Sequence, residues 1–166
     1  MRWTAVALTS LALVAASAAA GKLRVVSAHG VQVSVPAGWH RLEPTPSAIT
    51  DPRTLLVVGT AGVGWNLKSA CQNTAYRVPA TGAVVVVLGW TSLRLAGSPR
   101  PTGRAPLSKL IRVSRPIFEC SSARGAGASV VLRGKAYQVD VMVGDRATPA
   151  RVAEALAVAR SFDLAR

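Results

Sequence analysis

The fold class turns on SVVLRGKAYQVDVMVG, residues 129–144. Arg133–Gly134 predicts a tight turn between two strands, 129–132 and 135–143, because a two-residue loop ending in glycine suits an antiparallel hairpin. In the second strand Tyr137, Val139, Val141 and Val143 share one face, while Gln138 and Asp140 lie on the other. That two-residue period marks a strand half-buried against a core.

Upstream, AVVVVLGW at 83–90 is the most apolar run outside the N-terminus and predicts a central strand buried on both faces. TLLVVG at 54–59 predicts a further strand, followed by a glycine-rich turn through Gly64. KLRVVSAHGVQVSVP divides into two short strands joined at Ala28, His29 and Gly30, with Val31, Val33 and Val35 on one face. Residues 41–52, with three prolines, predict a loop, and 66–70 a helical turn. A strand is expected around 117–120, then a glycine-rich turn at Gly125 and Gly127.

Downstream, TPARVAEALAVARSF predicts one helix. Thr148 is a suitable N-cap, Pro149 fits the first helical position, and Val152, Ala155, Leu156 and Ala159 form an apolar stripe. Arg160 in the last turn favours the helix dipole, whereas Arg151 near the start opposes it. The expectation is a single α+β domain over 21–166: antiparallel sheet with a C-terminal helix packed on it.

Three segments carry a resemblance to a known family: VQVSVPAGWH, GKAYQVDVMVG and the closing ARSFDL. Together they resemble small exported bacterial domains of the PsbP/Mog1-like superfamily. The resemblance implies an antiparallel sheet sandwiched by helices. It assigns no functional residue, since members of that superfamily do different jobs on one scaffold.

Residues 1–20 have the three-part pattern of a secretory signal peptide. Met1 and Arg2 open it, an uncharged Ala-rich run follows, and small residues precede Lys22. A retained membrane anchor would need about 20 strongly apolar residues, and this run is shorter. Export to the periplasm, envelope or medium is therefore expected, with no transmembrane helix after cleavage. In an oxidising compartment the two cysteines, Cys71 and Cys120, are expected to form one disulfide. Closing that loop would stabilise the fold by about 4 kcal/mol in a chain-entropy treatment. A metal or reactive thiol pair is the competing reading, but neither cysteine has a CxxC partner or a histidine beside it.

Composition narrows the function. Half of the 166 residues are hydrophobic and 16% are charged, which excludes a disordered chain. There are 20 basic and 7 acidic side chains, and losing residues 1–20 removes only Arg2 from that excess. SPRPTGRAPLSKLIRVSRP, residues 98–116, concentrates five cations, Arg100, Arg104, Lys109, Arg112 and Arg115, without an acid. Arginine binds phosphate or carboxylate through two parallel hydrogen bonds, so these five are candidate anion-binding residues. A solvated loop is the plainer reading. No aromatic lies between Leu93 and Ile117 to stack on bases, and export further argues against nucleic acid.

Catalytic signatures are not found. HExxH, GxSxG and SxxK are absent, and GTAGVGWNLKS departs from a phosphate-binding loop because Trp65 follows Gly64. His29 and His40 have no second ligand at metal-binding spacing. No catalytic residue, metal site or cofactor is assigned. The expected function is a non-enzymatic, monomeric binding or scaffolding domain contacting anionic envelope polymer or lipid headgroups. The alternatives are a hydrolase whose site assembles only in three dimensions, from Asp140, Asp145 or His40, and a small-ligand carrier.

Overall fold

Two hairpin tips organise the chain. At the first, His29 and Gly30 take φ of +47° and +77°; at the second, Arg133 and Gly134 take +48° and +70°. Positive φ at both central positions is the turn whose twist matches that of paired strands. The first tip joins β1 (Arg24–Ala28) to β2 (Val31–Val35), and the second joins β8 (Arg124–Leu132) to β9 (Lys135–Val143). Both turns lie where the sequence predicts them.

The computed structural model describes residues 22–44, 49–65, 76–91 and 123–166. Among the described residues the remaining strands are β3 (Trp39–Leu42), β4 (Arg53–Thr60), β5 (Gly64–Trp65), β6 (Tyr76–Arg77), β7 (Ala83–Trp90) and β10 (Asp163–Leu164), with one helix, α1 (Pro149–Arg160). Described strands form a five-stranded sheet, β3-β4-β7-β9-β8, a three-stranded sheet, β1-β2-β10, and the β5-β6 pair. Every pairing is antiparallel. The protein is thus an α+β fold, mostly antiparallel sheet with a C-terminal helix.

β7 occupies the centre of the larger sheet, and residues 83–88 are all buried. Ala83, Val85 and Val87 join the main core with Val33, Val35, Leu156 and Phe162, beneath α1 and the smaller sheet. Val84, Val86 and Leu88 face the other way, with Val57, Tyr76 and Met142. Each fully buried valine contributes roughly 1.5 kcal/mol or more. Burial on both sides explains why this strand shows no polar alternation.

The helix starts as its cap residue dictates: Thr148 Oγ1 accepts from Arg151 N at 3.2 Å, with Pro149 in the first turn. Ala155, Leu156, Val158 and Ala159 are buried. At its end Ser161 Oγ accepts from Ser34 N at 2.8 Å, tying α1 to β2. Trp39 Nε1 donates to Glu154, which also pairs with Arg151, so β3 is tied to the helix as well. Thr148→Ala should cost about 1 kcal/mol by orphaning the Arg151 amide, and a urea titration would read this as a lower midpoint at unchanged slope.

Three expectations need correction. Arg41 and Leu42 belong to β3, not to a loop; Trp39 is buried in the main core and Leu42 packs on the opposite face, so the segment gains a partner in β4. Gly125 and Gly127 lie inside β8, paired with Met142 and Asp140, because β9 offers a partner along its whole length. That pairing outweighs glycine's weak strand preference. Gly64 is in β5, not in a turn. The signal region 1–20, the helical turn at 66–70, the strand at 117–120, Cys71, Cys120 and the run 98–116 lie outside the described residues.

Candidate functional site

A concavity with convergent polar groups lies at one end of the larger sheet. It is a cleft of about 270 Å³ lined by His29, Arg53, Leu55, Trp90, Lys135 and Tyr137, among others. Strand register assembles it. Arg53 pairs with Gly89, Gly89 with Tyr137 and Tyr137 with Val130, so one row crosses the sheet from β4 to β8.

A register shift between Thr54 and Leu56 bulges β4 and turns Leu55 onto the core face. Leu55 rests over Gly89, where an added Cβ would lie 2.7 Å from Leu55 Cδ1. Glycine at 89 therefore lets Leu55 form an apolar floor. Tyr137 completes that floor, its ring centroid 5.4 Å from that of Phe162. Burial pushes the Tyr137 phenol above its ordinary value, opposed by the positive charge of Arg133. The ring is thus held neutral.

The polar groups come from turns and strand ends. His29 Nδ1 is 2.9 Å from Leu55 O. A carbonyl only accepts, so Nδ1 carries the hydrogen in this contact. Arg53 and Lys135 are exposed. Thr91 binds Asp51 through its amide at 2.9 Å and its hydroxyl at 2.7 Å. Those neutral donors fix the Asp51 carboxylate without cancelling its charge; among the residues lining the cleft, the charged ones are Arg53 and Lys135. The arrangement can bind an anion over an apolar floor through the Arg53 guanidinium and the Lys135 ammonium.

His29 and Arg133 share a further property. They are the non-glycine residues with positive φ among those described. Asparagine or glycine adopts that conformation at less cost, and strain of this kind concentrates at functional sites. Placing a histidine and an arginine at the two tips is thus locally unfavourable; His29 lines the cleft, and Arg133 is two residues from Lys135, which also lines it.

The residues considered for hydrolysis are not brought together. His40 on β3 and Asp140 on β9 stand three strand spacings apart, about 14 Å. Asp140 is 1% exposed and receives Gln138 Nε2 at 3.1 Å, while Asp145 is exposed beyond the end of β9. Burial lifts the Asp140 carboxyl to about 7, against the smaller opposing effect of the Gln138 hydrogen bond. Among the described residues no group of three or more His, Cys, Asp or Glu could hold a metal, and no helix is long and apolar enough to cross a membrane.

Sequence reasoning located the two tips but not their meeting. Arg53 and Lys135 carry no motif, and a histidine or arginine before glycine in a turn was the one available signal. Comparison with family models, curated proteins and solved structures finds no match for this chain.

Proposed function

We propose that this protein is an exported, envelope-associated binding domain that holds an anionic partner without chemical turnover. The observation that carries this reading is the cleft where Arg53 and Lys135 rim an apolar floor of Leu55 and Tyr137. Concave sites with a few convergent polar groups are where ligands are held, and arginine selects phosphate and carboxylate. The excess of 20 basic over 7 acidic residues adds a long-range field that speeds capture of anions. The signal-peptide pattern supports export, and with it a Cys71–Cys120 disulfide. The basic run from Arg100 to Arg115 would extend the same attraction.

The PsbP/Mog1-like layout is part of this reading. VQVSVPAGWH spans β2 and enters β3, GKAYQVDVMVG contains β9, and ARSFDL ends α1 and enters β10, so each segment of the likeness falls on structured chain.

The test is Arg53→Glu combined with Lys135→Glu, assayed on long-chain polyphosphate and on vesicles containing phosphatidylglycerol. Each anion tests the cleft by itself. At low salt the double variant should bind at least about tenfold more weakly, since two favourable charge contacts become repulsive. High salt should weaken the wild type toward the same level. Equal binding by both proteins on both probes would refute the site.

A further inference from the structure

A second cleft is built from residues beside the same Arg133–Gly134 tip. It measures about 300 Å³ and is lined by Leu132, Arg133, Asp163, Leu164, Ala165 and Arg166. Arg133 lines this cleft and Lys135 the other, with Gly134 alone between them in the chain. The first tip joins the same surface: Ala165 N donates to Gly30 O at 2.9 Å, beside His29 of the first cleft. Arg133 also acts on Tyr137 electrostatically, so its charge reaches both sides of the turn. The carboxylate in the second cleft, Asp163, accepts from Leu164 N at 2.9 Å. Among the described residues that line the two clefts, the cations are Arg53, Lys135, Arg133 and Arg166, all exposed.

The scale of this surface bears on the ligand. From β4, which carries Arg53, to β8, which leads into the tip, is three strand spacings, about 14 Å. One phosphate or carboxylate cannot touch both ends of such a span, whereas a chain with an anionic group on each repeat can. Arg133 stands where such a chain would cross from one cleft to the other. Its positive φ is the local cost of placing a guanidinium there instead of asparagine.

We propose that the two clefts form one continuous site for a linear polyanion, with Arg133 bridging them at the turn. This rests on the reading of the first cleft as an anion site and specifies its partner: a polymer with a phosphate or carboxylate on every repeat. Binding to both clefts is multivalent, so affinity rises with length until the chain spans them and then levels off.

The experiment measures affinity for inorganic phosphate and polyphosphates of increasing defined length, with a parallel oligogalacturonate series to distinguish a phosphate from a carboxylate partner. At least one series should tighten by about 100-fold between the single unit and the spanning length. Arg133→Asn suits the turn at least as well as arginine, so it keeps the fold, checked by its melting temperature. It should lose about tenfold on the long chains and little on the single unit. Arg77→Asn, an equal charge change on β6, should leave the length dependence intact. A flat length series with short anions still lost in the Arg53→Glu, Lys135→Glu protein would overturn the bridging site and leave the first cleft standing. Equal losses in the Arg133 and Arg77 variants would also overturn it, since the attraction would then be diffuse. No binding of any anion would remove both readings.

Discussion

Replacing Gly144 with alanine is expected to destabilise the protein by roughly 3 kcal/mol or more, the upper range for overpacking a close-packed site. A Cβ there would lie 2.1 Å from Pro79 O and 2.3 Å from Ala80 O. These are backbone atoms, and they cannot swing aside as a side chain can. Gly82 N binds Pro79 O at 2.8 Å, Arg146 N binds Ala80 O at 2.8 Å, and Gly144 N binds Gly82 O at 3.0 Å. Relieving the clash therefore breaks the bonds that lock the turn before β7 to the end of β9. Thermal melting should fall by about 10 °C for a domain of this size. Gly64→Ala, where nothing lies within 4 Å of the added carbon, is the contrasting control. A Gly144→Ala protein melting with that control would show that the turn yields.

Asp140→Asn should stabilise the protein at pH 8 and flatten its dependence on pH. The carboxyl titrates near 7 in the folded chain, against an ordinary value of 3.8. A raised carboxyl means that the folded state binds the proton more tightly than the unfolded state does. Stability from this group is therefore full below about pH 4, declines as pH rises, and is lost above about pH 7. Three units correspond to roughly 4 kcal/mol as an upper limit. Asparagine keeps an oxygen to accept from Gln138 Nε2 but carries no charge to bury. Urea titrations at pH 4.5 and pH 8 should show the two proteins converging at the acid end and separating at the alkaline end. Parallel curves would mean that the carboxylate is solvated or paired in the folded protein.

The same residue shows how far sequence reading extends. Alternation along 137–143 placed Asp140 opposite the Tyr137 face, and β9 has that orientation. Nothing in the pattern indicated that the opposite face is also buried, because a polar residue in an alternating strand normally meets water. Burial of Asp140 follows from sheet packing on both sides of β9. Gly125 and Gly127 illustrate the converse: their local preference is for a turn, and pairing with β9 makes them strand. The anion cleft lay further still from the sequence. Arg53 and Lys135 are separated by 81 intervening positions and meet only because β4 and β9 flank β7.

By itself the sequence determined the antiparallel α+β class, the strand 83–90 with its doubly buried stretch 83–88, both hairpin tips and the capped helix. Each of these depends on interactions within a few residues: side-chain period, positive-φ turn chemistry and the first turn of a helix. Tertiary structure alone decided which strands neighbour one another, that Asp140 is sealed from solvent, and that His29, Arg53, Arg133 and Lys135 gather at one end. Those outcomes depend on register between distant strands, and register is set by the joint packing of two core faces that no local pattern contains.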